Sequence, residues 1–218
     1  MTNKTPGVTG EIFDRDCRAC PRLAAFLDEV NSRYPEYYCR PVPPFGDAAA
    51  RLLIVGLAPG MHGANRTGRP FTGDHAGILL YETLHKFGFS SNAESCSADD
   101  GLTLLDCRIT NAVKCLPPEN KPVGAEINTC NRFLANELDT IAPGSVVLAL
   151  GGIAHRAIVK ARGLRQADFK FGHAAAHDLG HFYMLDSYHC SRYNTNTGRL
   201  TPAMFDAVFE RARELLRR

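Results

Sequence analysis

The 218-residue sequence contains no apolar run near the roughly 20 residues that cross a bilayer, and its opening lacks the apolar stretch of a secretory signal. No membrane partner is expected, and the expected compartment is cytoplasmic. Neither sign of charge dominates. The 25 Lys and Arg against 23 Asp and Glu leave a net charge of +2, which argues neither for nor against nucleic acid and leaves room for a local basic face. No linker, repeat or low-complexity tract divides the chain, so residues 1–218 read as a single domain. Only residues 1–10, "MTNKTPGVTG", have the look of disorder. The glycines match neither G-x-G-x-x-G nor a GK[ST] phosphate loop, so dinucleotide and P-loop chemistry have no footing here.

What is present is an ordinary globular composition, 44% hydrophobic and 22% charged, arranged in a repeating order. Apolar, β-rich runs at 51–57, 102–113, 145–151 and 181–189 read as strands buried on both faces. Segments of helical spacing lie at about 17–33, 76–88, 123–140, 152–162 and 201–217. In the last, Thr201 is an N-cap candidate and Pro202 a first helical residue. The alternation predicts an α/β protein, a three-layer α/β/α sandwich around a central, mainly parallel four-stranded sheet. Ligands of such sheets sit beyond the carboxyl ends of the strands. Four unusual segments fall there: "GLAPG", "TNAVKC", "LGG" and "YHCSRYN".

The stretch "GLAPGMHGANRTGRPFTGD", residues 56–74, carries five glycines and closes on one acid. Bare backbone after a strand lets a ligand approach closely and exposes amides to it. Asp74 fits a helix N-cap ahead of "HAGILLYETLHKF" as well as a catalytic acid, and Phe71 fits the core as well as a stacking face. Asn111 offers one donor and one acceptor, matching the edge of a pyrimidine such as uracil, but also suits a turn or cap. His189 leaves a strand into Ser191, Arg192 and Asn194, a loop suited to phosphate contacts.

Eight cysteines in a cytosolic chain argue for metal ligation over disulfides. Cys17 and Cys20 form C-x2-C, and Cys115 and Cys130 bracket fourteen residues. Together they suit a tetrahedral S4 site or a [4Fe–4S] site, or are simply buried thiols. Cys39, Cys96, Cys107 and Cys190 have no such spacing.

Taken together, "CRACPRL", "GLAPGMHGANRTGRPFTGD", "TNAVKC" and "YHCSRYNTNTGRLT" resemble the iron–sulfur branch of the uracil-DNA glycosylase superfamily, family 5 or type b. Leu57 stands where family 4 carries an acid, Gly60 where type b typically carries alanine, and Cys190 where the family has the proline of His-Pro-Ser. The resemblance implies a monofunctional, monomeric glycosylase acting on DNA that contains uracil or other deaminated bases such as hypoxanthine and xanthine. It implies Asp74 and His189 as catalytic residues, and Gly60, Phe71 and Asn111 at the base. Ser191, Arg192 and Asn194 would meet DNA, and Cys17, Cys20, Cys115 and Cys130 would hold a structural [4Fe–4S] cluster. The alternative is a nucleic-acid-binding protein with the same fold and cluster but no catalysis.

Overall fold

The computed structural model describes residues 13–217, so the expectation for residues 1–10 lies outside the described residues. In chain order the elements are α1 (Pro21–Arg33), β1 (Phe45–Gly46), β2 (Leu52–Gly56), α2 (Ala64–Thr67), α3 (His75–Lys86), β3 (Cys107–Asn111), α4 (Gly124–Thr140), β4 (Ser145–Leu150), α5 (Gly152–Ala161), β5 (Ala176–Asp178), β6 (Phe182–Ser187), α6 (Arg192–Asn196) and α7 (Pro202–Leu215). The sheet order is β1-β3-β2-β4-β6-β5.

The four expected strands form its parallel centre, with Ile54 opposite both Ile109 and Leu148, and Leu148 opposite Leu185. Two further strands extend it to six. Both are antiparallel edges, two and three residues long. Such short edges carry no readable alternation of apolar and polar residues, which is why the expected sheet has four strands.

Successive residues of a strand point to opposite faces, and both faces of this sheet are covered. Leu52, Ile54, Leu148 and Leu185 meet Leu80 and Leu84 of α3 and Phe205 and Phe209 of α7. Leu53, Val55, Val147 and Met184 meet Leu134 and Leu138 of α4 and Ala154 and Ile158 of α5. Full burial of each such side chain contributes about 1.5–3 kcal/mol, so the double-sided core explains the continuous apolar runs. β3 begins only at Cys107, because Asp106 adopts a left-handed φ of 50° that an extended strand does not allow. There Asp106 accepts hydrogen bonds from the Arg51 main chain and guanidinium, both at 2.8 Å.

The helix starts follow the sequence closely. Thr201 accepts the Met204 N–H at 3.2 Å with Pro202 at the first position of α7, and Asp74 caps α3. Between β3 and α4 lies a buried ion pair: Lys114 Nζ stands 2.5 Å from Glu137 and also bonds Thr110. It links the end of β3 to the helix that carries Cys130.

Candidate active site

The carboxyl ends of β2, β3, β4 and β6 place the glycine-rich loop, Asn111, Gly151 and His189 along one edge of the sheet. β2 ends at Gly56, and the close approach there requires glycine. A Cβ at Gly56 would stand 2.4 Å from Asn111 Oδ1 and 2.6 Å from the Phe71 ring. Asn111 and Phe71 thus converge over bare main chain. Phe71 is 6% exposed, adopts a φ of 55°, and its ring stacks on His189 at 5.9 Å between centroids with 27° between planes. A left-handed φ at a bulky residue stores strain, and it turns this ring into the site instead of along the loop.

Asp74 has both roles open to it in the sequence. Oδ1 accepts the Gly77 N–H at 3.1 Å as the cap of α3. Oδ2 faces the loop, where a Cβ at Gly63 would come within 2.5 Å of it and one at Gly60 within 3.2 Å. Burial raises the carboxyl above its ordinary pKa, against the opposing pull of the Gly77 and Ala76 N–H groups. Gly60 therefore lies beside Asp74, while Phe71 and Asn111 meet at Gly56.

His189 lies two residues beyond the end of β6 and is partly exposed. Its Nδ1 is buried without a hydrogen-bond partner, and burial pushes the ring down to about 4. The imidazole is therefore neutral at pH 7 and can donate one N–H without carrying a charge. Its turn lacks the proline of His-Pro-Ser but is held in other ways. Cys190 is fully buried in the core, Asn194 Nδ2 donates to the His189 carbonyl at 2.8 Å, and the Gly151 N–H donates to the Ser187 carbonyl at 2.8 Å.

The expected DNA-facing residues divide by use. Ser191 caps α6, accepting the Asn194 N–H at 3.4 Å, so Ser191 and Asn194 both serve the turn itself. Arg192 is exposed and lines a groove of about 720 Å³ together with Asp74, His62, Arg66 and His75. Sequence reasoning missed its neighbour Tyr193, which is 71% exposed on α6. An exposed tyrosine has no pattern that marks it in advance. Also missed was the prop beneath the glycine-rich loop. Buried Arg69 pairs with Asp100 at 2.6 Å and donates to the Ala98 carbonyl, while Thr72 and Ser95 hydroxyls lie 2.7 Å apart. Burial opposes ionisation of Asp100, but Arg69 and neighbouring N–H groups hold it at about 2.

Cys17, Cys20, Cys115 and Cys130 line one small cavity between α1, the segment after β3, and α4. Lys114 N–H donates to Cys130 Sγ at 3.3 Å and Arg132 to Cys17 Sγ at 3.5 Å. Zn–S bonds of about 2.3 Å would bring the sulfurs of a tetrahedral site to roughly 3.8 Å of one another. Among the described residues no three of these sulfurs lie within 4.8 Å of one another.

With this geometry in view, the sequence model of the Uracil DNA glycosylase superfamily matches residues 43–213. The chain belongs to the uracil-DNA glycosylase superfamily. Within it, the chain is 48% identical over 205 residues to a type-5 uracil-DNA glycosylase of Thermus thermophilus, covering 91% of this chain and 93% of that one. It is 43% identical over 201 residues to a type-5 uracil-DNA glycosylase of Pyrobaculum aerophilum, covering 90% and 88%. A type-4 uracil-DNA glycosylase of Thermotoga maritima is 33% identical over 141 residues, covering 64% and 59%. The longer and stronger similarity to type 5 agrees with the branch expected from Leu57.

Proposed function

We propose that the chain is a monofunctional uracil-DNA glycosylase that hydrolyses the N-glycosidic bond of uracil in DNA and so begins base excision repair. The observation that carries this reading is the convergence at one sheet edge of a buried carboxylate, Asp74, with an amide, Asn111, and an uncharged imidazole, His189. The two type-5 relatives bear the same activity in their names.

An enzyme acting on a base must take the nucleotide out of the stack. The extruded base meets the Phe71 ring and presents its polar edge to Asn111. Uracil satisfies both donor and acceptor of the amide, whereas cytosine, with the pattern reversed, leaves a buried polar group unpaired. Hypoxanthine and xanthine are further bases in the proposed range. Cleavage sends the electron pair of the glycosidic bond onto the base and leaves positive charge on the sugar. Asp74 faces that cation, and its raised basicity suits it to take a proton from the water whose oxygen bonds the anomeric carbon. The base departs as an anion stabilised by the His189 N–H and the loop amides of residues 56–60, then takes a proton from solvent. Arg66 and Arg192 on the groove follow the phosphates, so binding weakens with salt.

The residues that would hold a [4Fe–4S] cluster are Cys17, Cys20, Cys115 and Cys130, whose wide spacing and shared cavity suit it. When bound, it would tie α1 to α4 and contribute rigidity, with no part in bond cleavage. Its test is iron and sulfide analysis of protein purified without oxygen, with about four irons per chain expected; a colourless zinc protein would overturn it. The proposed setting is a reducing cytoplasm, where cysteines stay unpaired, and the proposed acting form is a monomer.

The deciding experiment measures base release from single- and double-stranded oligonucleotides carrying uracil, hypoxanthine or xanthine. Uracil release by the wild type is expected. DNA binding without release would make the chain a binding module instead.

A further inference from the structure

Away from the glycosylase edge, three side chains from three elements meet in the layer between α5 and the outer part of the sheet. His155 of α5 is 1% exposed and Asp186 of β6 is fully buried. His177 of β5 is partly exposed. His155 Nδ1 lies 2.8 Å from Asp186 Oδ1, and His177 Nε2 lies 3.3 Å from Oδ2. One ligand atom from each residue falls within 4.8 Å of the other two, and among the described residues no other group of His, Cys, Asp and Glu does so.

The hydrogen bonds around this cluster show where a cation would bind. His155 Nε2 stands 3.0 Å from the Phe169 carbonyl, which can only accept, so Nε2 carries the hydrogen. Without a metal, Nδ1 donates a second hydrogen to the buried carboxylate at 2.8 Å, pairing a charged ring with Asp186. A divalent cation could take the place of that proton between Nδ1 and the carboxylate. The second carboxylate oxygen is steadied by the Gly172 N–H at 3.3 Å and faces a second imidazole.

We propose that His155 Nδ1, His177 Nε2 and the Asp186 carboxylate form a Zn²⁺ site, completed by water from the exposed side of His177. Two imidazoles and one carboxylate are a set that suits a borderline divalent ion. The N–H of His155 on a main-chain carbonyl is the outer bond that fixes the ring of a metal-bound histidine. Metal bonds of about 2.0–2.1 Å in a tetrahedron put ligand atoms roughly 3.3 Å apart, so the 3.3 Å spacing at His177 already fits and the 2.8 Å spacing at His155 would open by about half an ångström.

The site is structural. It clips β5 and the segment 169–177 onto β6, the strand that delivers His189. The same segment holds the turn a second time, with the Tyr188 N–H donating to His173 Nδ1 at 3.2 Å.

The test is Zn²⁺ titration by calorimetry of the full chain, its cysteine cofactor in place, beside the variants His177→Ala and His177→Gln. Partial exposure of His177 makes both substitutions compatible with folding. The wild type is expected to take one equivalent more than either variant and to gain melting temperature with zinc where they do not. Equal uptake by wild type and variants would place the zinc on thiols and overturn the site. So would nitrogen NMR in saturating zinc that shows His155 protonated on both nitrogens, since a proton would then occupy the metal's place.

Discussion

Two histidines stand near the end of β4 and could hardly be treated more differently. His155 has both ring nitrogens engaged, by Asp186 at 2.8 Å and by the Phe169 carbonyl at 3.0 Å. His189 has a buried Nδ1 with no partner, and its ring is pushed down to about 4. Buried polar groups are normally satisfied, and an unsatisfied one is usually reserved for something. The scaffold edge at His155 has its bonds made within the protein. The edge proposed to be reactive leaves His189 Nδ1 without a partner in the protein and Asp74 Oδ2 facing the glycine-rich loop. Between these two histidines, the difference separates a ring that holds the fold from the one proposed to act.

The comparison breaks most visibly at the two aspartates. Asp74→Asn keeps an oxygen to cap α3 but removes the charge facing the sugar. Uracil release is expected to fall by at least about a thousandfold, the upper end for loss of one preorganised electrostatic group, with melting temperature nearly unchanged. Single-turnover kinetics and calorimetry check both halves, and full activity would sink the assignment. Asp186→Ala should invert the pattern. It strands two histidines beside a buried hole, and loss of one partner of a buried charged pair destabilises by about 3–5 kcal/mol. Urea unfolding should show this loss, while a variant that folds at low temperature retains cleavage.

The same division decides what could be read from residue order. The reactive edge was legible because its chemistry is local: glycines after a strand, one acid before a helix, an amide and a histidine at strand ends. The parallel centre was legible because strands buried on both faces are apolar throughout. The scaffold contacts were not. Arg69 and Asp100 are 31 residues apart, and His155 and Asp186 also 31, with nothing in either segment to show that they meet. Cys190 in the proline position lacks the backbone restraint that a proline ring supplies. Its burial and the Asn194 bond show the restraint supplied by tertiary contacts that the motif alone cannot reveal.

A pH experiment sharpens the comparison at His189 itself. Its folded pKa of about 4 lies below the ordinary value near 6.5, so between those values the unfolded chain binds a proton that the native ring refuses. Stability from this group is therefore complete above about pH 6.5 and declines as pH falls toward 4, by up to roughly 3 kcal/mol. His189→Gln should flatten that part of the stability profile. An unchanged slope in the variant would mean that the ring is already charged in the native state, and the neutral-donor role would fail with it.

The smallest effect is expected at Tyr193, which belongs to neither class of buried group. With 71% of its surface exposed at the start of α6, it contributes little to the core, so Tyr193→Ala should leave the unfolding free energy within about 0.5 kcal/mol of wild type. Yet it stands four residues beyond His189, on the turn proposed to meet DNA, where an inserted ring can fill the gap left in the stack. Base–aromatic stacking is worth about 1–3 kcal/mol, so the variant should lose roughly tenfold or more in kcat/KM on duplex uracil DNA. On single-stranded uracil DNA, which has no duplex gap to fill, it should lose little. Equal losses on both substrates would show that Tyr193 binds the strand generally; no loss on duplex DNA would overturn the wedge role.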